Sequence, residues 1–217
     1  DEGPQTQVTI SRGFWLGKHE VTQREYQAAT GNNPSYSTGD LDRPVEQVSW
    51  NDATSYCAKL TAQERTAGRL PSGYEYRLPT QAQWEYACRA GTTTATAFGN
   101  SLSSTQANFD GHSPYNGAAV GPYLRQTTKV GSYQANAWGL YDMHGNVWEW
   151  CLDWYAGSLP GGSVTDPKGP RSGSARVLRG GGWDFQGQVC RSARRNWLYP
   201  SGGNGALGFR VALVSVL

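Results

Sequence analysis

The sequence predicts one domain spanning residues 1–217, built from short helices and strands with modest regular structure and much ordered loop. Three observations carry this expectation. The chain has 217 residues, enough for one sizeable core, and no linker divides it. Hydrophobic residues make up only 37% and mean hydropathy is −0.61, but nine Trp and twelve Tyr compensate. Aromatic rings bury large areas while keeping a polar handle, so a few can organise an irregular core. The 28 Gly permit the tight and left-handed turns that a loop-rich chain requires.

Taken in order, residues 8–21 read as extended, with Phe14, Trp15 and Leu16 as a hydrophobic centre. Thr22 opens a short helix through Tyr26 to Ala29, and Gly31 ends it. A polar, turn-rich stretch fills residues 32–42. A second helix runs from about Asn51 to Arg65, where Ala53, Tyr56, Cys57 and Leu60 recur at helical spacing and define one buried face. Residues 68–74 read as a loop. Thr80 starts a third helix, since with Gln83 it fits a capping box. Trp84, Ala87 and Cys88 face inward, and Gly91 stands just past the end. Residues 91–137 are mostly Gly, Ser, Thr, Asn and Gln, a composition compatible with disorder. Phe98, Phe109, Tyr115, Tyr123 and Tyr133 punctuate it, which predicts instead an ordered loop held by rings or by a metal. Residues 138–154 are dense in aromatics and are expected in the core. Residues 157–174 read as another turn-rich loop and residues 176–178 as a short strand. Residues 208–216 alternate, with Phe209, Val211 and Leu213 on one face, and close the sheet.

Several function classes are disfavoured at this level. The formal net charge is +2 with acids and bases interspersed, so no nucleic-acid partner is expected. No apolar run approaches the ~20 residues of a membrane span. Cys57, Cys88, Cys151 and Cys190 form neither a CxxC nor a Cys/His zinc spacing. An even count permits disulfides in an oxidising compartment, so a periplasmic or secreted location is expected ahead of four buried thiols in a cytosolic protein.

Three sets of motifs carry a resemblance. The first is SWNDATSYCAKL followed by YRLPTQAQWEYACRAGT, the second GLYDMHGNVWEWCLDWY, and the third RVLRGGGW, CRSARRNW and LGFRVAL in that order. With the opening segment FWLGKHEVTQREY they resemble the formylglycine-generating enzyme (sulfatase-modifying factor) family, from about Val8 to Leu213. The resemblance implies an α+β, C-type-lectin-like fold. Members that make formylglycine bind copper through two cysteines in the last third of the chain, and soft thiolates suit Cu(I). The corresponding stretch here, WDFQGQV at residues 183–189, has no cysteine and is several residues shorter, and Gly182 replaces the serine of the GGS motif. Cys190 matches a structural cysteine of the family. No copper is therefore expected. Related iron-dependent sulfoxide synthases draw most of their metal-binding histidines from a separate helical domain. His19, His112 and His144 are spaced so that nothing in the sequence brings them together. Hydrolysis by Asp142, Glu149 and Asp153 is disfavoured, because their local pattern fits a metal site better.

The resemblance also implies calcium, which takes six to eight hard oxygen ligands. Its ligands fall on Asp142, the Gly145 and Val147 carbonyls, and Glu149, with capped turns or arginine pairs as the alternative. A second calcium would use Asn108 and the Phe109 carbonyl, although its distal acidic ligand aligns near Pro122. A Cys88–Cys190 disulfide is implied in the same way; Cys57 and Cys151 either pair with each other or stay buried thiols, the second being the expectation.

In C-type-lectin-like folds the C-terminal loops present ligands. Here these contain Trp183, Asp184, Phe185, Gln186 and Gln188, then Asn196, Trp197, Tyr199, Ser201 and Asn204. Rigid aromatics beside short adaptable polar groups resemble a paratope. The ending RNW followed by GFR is also similar to the variable proteins of diversity-generating retroelements. The expectation is a non-catalytic, calcium-stabilised domain that binds a protein or glycan. The alternatives are a superfamily metal-dependent oxidoreductase acting on cysteine or thiol substrates, and a secreted, self-assembling subunit of a surface assembly.

Overall fold

A computed structural model describes residues 2–216. In chain order the elements are β1 (Thr6–Thr9), β2 (Phe14–Leu16), α1 (Gln23–Thr30), α2 (Trp50–Thr66), β3 (Tyr74–Arg77), α3 (Gln81–Arg89) and β4 (Trp148–Trp154). Then come β5 (Gly162–Thr165), β6 (Arg176–Arg179), a 3-10 turn (Gly187–Cys190), β7 (Asn196–Leu198), β8 (Leu207–Gly208) and β9 (Ala212–Ser215). All three helices start in reciprocal capping boxes: Thr22 with Glu25, Ser49 with Asp52, and Thr80 with Gln83. Each box satisfies two helix-end donors, so short helices start at defined residues. α1 ends at Gly31 in the left-handed region. α3 ends one residue earlier than expected, at Ala90, with φ 46°.

The strands form three sheets: a parallel ribbon β1-β5, an antiparallel sheet β2-β9-β3, and a four-stranded sheet β7-β6-β4-β8. The four-stranded sheet separates two cores. On one face Trp148, Trp150, Leu178 and Leu207 pack with Tyr26, Tyr56, Cys57 and Phe209, burying the predicted face of α2. On the other, Cys151 and Val177 pack with Trp84 and Cys88 of α3. A third cluster, Leu102, Ala107, Phe109 and Cys190, gives the long loop its own hydrophobic anchor.

Several local expectations need correction. β5 lies where the sequence reads as loop, and β3 begins at Tyr74, the last residue of the other predicted loop. β5 is the polar segment Gly-Ser-Val-Thr, and only its pairing with β1, more than 150 residues away, makes it a strand. Trp15 is 61% exposed, because β2 turns Phe14 and Leu16 inward and leaves Trp15 against Tyr74 on the outer face. Trp138 is also exposed, packed edge-on against Tyr86. In β9 the buried residues are Ala212 and Val214, while Leu213 lies in register with Trp15 and Tyr76 on the outer face. Phe209 is buried as expected, but it precedes the strand.

Candidate functional site

The stretch after β6 is where the resemblance places the copper-binding cysteines, and the first thiol after it is Cys190. Gly180 and Gly181 both take positive φ, and a Cβ on Gly181 would lie 2.6 Å from the Cys190 sulfur. Cys190 is thus sealed beneath a glycine turn, fully buried, and burial pushes its thiol far above the usual range. Cys88 superficially resembles a nucleophile beside a base, since its sulfur is 3.7 Å from His144 Nε2 and 3.5 Å from Ser192 Oγ. The arrangement is inert. His144 Nδ1 lies 2.7 Å from the Cys190 carbonyl and donates to it, while Nε2 accepts the Ala97 amide at 3.0 Å. Both nitrogens are therefore engaged in a neutral ring, and burial lowers its pKa to about 4. Burial also pushes the Cys88 thiol up to about 12, so the thiolate needed for nucleophilic or redox chemistry is scarce. All four cysteines are buried and free. The implied Cys88–Cys190 bond is not formed, because the Cys88 sulfur faces His144 and Ser192 while that of Cys190 faces Gly181 and the Gln186 carbonyl. His19 contacts the Glu20 carbonyl and His112 faces Asp110, so the three histidines do not converge.

The acidic residues of the GLYDMHGNVWEW segment meet an arginine. Arg210 donates to Glu149 Oε2 through Nε at 2.6 Å and to Oε1 through Nη2 at 2.7 Å, with both side chains fully buried. Trp84 Nε1 donates to the same Glu149 Oε2 at 2.7 Å. Glu20, also fully buried, accepts the Asn146 side chain at 2.7 Å and the Val147 amide at 3.2 Å. Burial raises the pKa of Glu20, and Asp142 and Glu149 nearby raise it further. Asp142 accepts the Gly131 amide at 2.6 Å, and burial raises its pKa too. Gly145 packs against the chain, since a Cβ there would lie 2.3 Å from the Asn108 carbonyl. At Glu149 three donors approach the carboxylate, so the arginine pair given above as the alternative to calcium is the contact present there. Asn108 differs. Its amide nitrogen donates to the Gln126 carbonyl at 2.9 Å and to Asn146 at 3.2 Å, whereas its buried Oδ1 has no hydrogen-bond partner. That oxygen fits a hard cation. Phe109 beside it is fully buried, and Pro122 supplies no acid. Among the described residues no group of three or more His, Cys, Asp or Glu is arranged to hold a metal ion.

The expected binding loops divide between the two edges of the four-stranded sheet. At the β8 edge, Trp183 Nε1 donates to the Gly205 carbonyl at 2.8 Å, and its ring stacks on Tyr123 with centroids 6.3 Å apart. Asp184, Phe185, Gln186 and Gln188 are exposed around it, and Phe185 packs edge-on against Trp148. Asn204 is exposed here, its Oδ1 accepting the Ala206 amide. At the β7 edge, Trp197 packs between Tyr155 and Tyr199, with Ser201 exposed and the Asn196 Oδ1 accepting the Trp197 amide. Sequence reasoning missed Tyr123 and the 80% exposed Tyr36 as parts of the first patch. Tyr123 was visible as an aromatic in a polar loop, but nothing in the sequence tied it to Trp183. A third feature was also missed: a groove of about 1010 Å³ between the β1-β5 ribbon and the outer face of α3, lined by Val8, Val164, Leu159, Ala82 and Tyr86.

Residues 1–214 match the profile of the sulfatase-modifying factor enzyme 1-like domain. The chain belongs to that family. It is 41% identical over 184 residues to the formylglycine-generating enzyme of Streptomyces coelicolor, a match covering 81% of this chain and 54% of that enzyme. The chain thus spans about half the length of that relative. Among solved structures, Treponema denticola variable protein 1 superposes with a TM-score of 0.82 at 31% identity, covering 94% of this chain and 85% of that one. The Major Tropism Determinant U1 variant shares the fold at a TM-score of 0.51 and 19% identity, covering 94% of this chain and 50% of that one. The sulfatase-modifying factor fold, C-type-lectin-like with α+β layers, is therefore the one the motifs implied. Within it, the Glu149–Arg210 pair joins the GLYDMHGNVWEW segment to the GFR segment.

Proposed function

We propose that this chain is a non-catalytic recognition domain of the sulfatase-modifying factor family that binds a protein or glycan through its C-terminal loops. One observation carries the reading: residues 183–189 contain no cysteine, and the adjacent Cys190 is sealed beneath Gly181. A redox copper needs accessible thiolates, and this region offers none. The similarity to Treponema denticola variable protein 1 over nearly the full chain supports the same reading. The binding surface proposed is the Trp183–Tyr123 patch together with the Trp197–Tyr199 edge. In this reading calcium is structural and is held by Asn108 Oδ1 and the Phe109 carbonyl, steadying the long loop.

The test has two arms. The chain is loaded with copper and incubated with a cysteine-containing peptide, and mass spectrometry follows aldehyde formation; turnover would overturn the non-catalytic reading. A glycan and peptide array is then probed with wild type, Trp183→Ala and Tyr199→Ala. Loss of about tenfold or more in one variant is expected, the effect of removing a well-packed aromatic anchor. Unchanged binding in both variants would reject the surface.

A further inference from the structure

The β1-β5 ribbon turns an apolar face toward an open groove. Thr6, Val8 and Ile10 alternate along the chain and line the groove, while Gln7 turns away and bonds Ser163. Val164 of β5 stands in register with Val8, so the two valines make one apolar step across the ribbon. Val8 is nonetheless 39% exposed. A two-stranded ribbon is marginal in water unless such a face packs against something. The opposite wall is the outer stripe of α3. Ala82, Glu85, Tyr86 and Arg89 recur at helical spacing, away from the buried Trp84, Ala87 and Cys88. The walls enclose about 1010 Å³, the upper end of the range of about 300–1,000 Å³ for small-ligand sites. Pro160, Pro167 and Pro170 of the lining have no N–H to offer, so a peptide backbone would find few partners here, whereas an alkyl chain needs none.

The charged groups of the groove are biased toward base. Its two acids are already paired: Glu85 bridges Arg89 and Arg179, and Glu2 bridges Arg191 and Arg194. Four arginines therefore share two carboxylates. Arg195 also lines the groove, with Asp153 and Glu85 opposing its charge. Lys168 lines it too, exposed and in no ion pair among the described residues. Asp166 feels the Lys168 charge, but Ser11 holds both of its carboxylate oxygens. The result is an apolar trough with an excess of positive charge and one cation open to a ligand.

We infer that this groove binds a free fatty acid, its alkyl chain laid between the Val8–Val164 step and the α3 stripe and its carboxylate paired with Lys168. The chain supplies the apolar surface that the ribbon lacks, and the anionic head meets the excess base. None of the residues proposed above to bind protein or glycan lines the groove, so the fatty-acid site stands apart from that reading.

Isothermal titration calorimetry with octanoate, decanoate and dodecanoate, each below its micelle concentration, provides the test. Each added methylene should tighten binding about threefold. Decanol and decyltrimethylammonium carry the same chain with a neutral or cationic head, and should bind at least about tenfold more weakly than decanoate. Lys168→Glu should weaken decanoate about fivefold or more and leave decanol unchanged. Ala82→Leu pushes a larger side chain from the helix wall into the groove and should abolish binding. Leucine is a good helix former, and an unchanged melting temperature verifies the fold. If that variant melts lower, Lys168→Glu, at an exposed position, decides the matter. Bound decanoate should also slow hydrogen exchange at the amides of residues 6–9 and 162–165 in wild type, because it packs the ribbon. Equal affinity for the three head groups, affinity indifferent to chain length, or unaltered binding by a folded Ala82→Leu overturns the fatty-acid site. Binding without protection of the ribbon overturns it as well, since the ligand would then lie elsewhere.

Discussion

Replacing Arg210 by Met removes the one cation that holds Glu149, and Glu20 and Asp142 lie close enough to act on the same region. Breaking a buried pair on one side costs about 3–5 kcal/mol, because the remaining charge is uncompensated. Arg210 also donates to the Gly17 and Tyr141 carbonyls at 3.0 Å each, and losing those bonds adds about 1 kcal/mol apiece. The expected loss is therefore about 5–7 kcal/mol, much of the stability of a domain of this kind. Urea unfolding followed by tryptophan fluorescence at pH 7 measures it. The double variant Glu149→Gln/Arg210→Met removes the stranded charge and keeps an acceptor for Trp84, so it should recover at least about 2 kcal/mol relative to Arg210→Met. A loss below about 2 kcal/mol at pH 7 would refute the claim that this pair organises the core.

Other expectations follow from the same contacts. Gly181→Ala forces a methyl group within 2.6 Å of the Cys190 sulfur at φ 81°, so it should cost about 2–4 kcal/mol by denaturant titration. Burial raises the Asp153 pKa from 3.8 to about 6, with the Gln81 amide opposing. Its stabilising contribution is complete below the unfolded value and is lost between about pH 4 and 6, so Asp153→Asn should flatten the decline of stability over that window. If calcium binds at Asn108, EGTA should lower the melting temperature of wild type and leave Asn108→Ala unchanged. At a hundredfold excess over Kd the stabilisation would be about 2.7 kcal/mol. An equal EGTA effect on both proteins would remove calcium from that position.

Where chemistry was local, the sequence was legible. Thr80 and Gln83 form the capping box their spacing announces, and Ala53, Tyr56 and Cys57 turn one helical face into the core. What escaped depends on partners distant in the chain. Val164 becomes a strand residue because Val8 pairs with it, and Trp15 is exposed because β9 fixes which face of β2 is inner. For Glu149 and Asp142 an arginine pair was one of the readings open in the sequence, but which arginine was not legible, since Arg210 follows 61 residues after Glu149. Trp183 was a candidate from the start, yet its stacking on Tyr123 needed the path of the long loop.

The segment between β7 and β8 is fastened almost entirely by main-chain atoms. The Pro200 and Asn204 carbonyls accept the amides of Asn51 and Gln47, Gly202 donates to the Tyr199 carbonyl, and the Gly205 carbonyl holds Trp183. Attachments of this kind are indifferent to what side chains the segment carries. Tyr199 and Ser201 can therefore be exchanged for other residues while the loop keeps its course, and the surface it presents changes without refolding the domain beneath it.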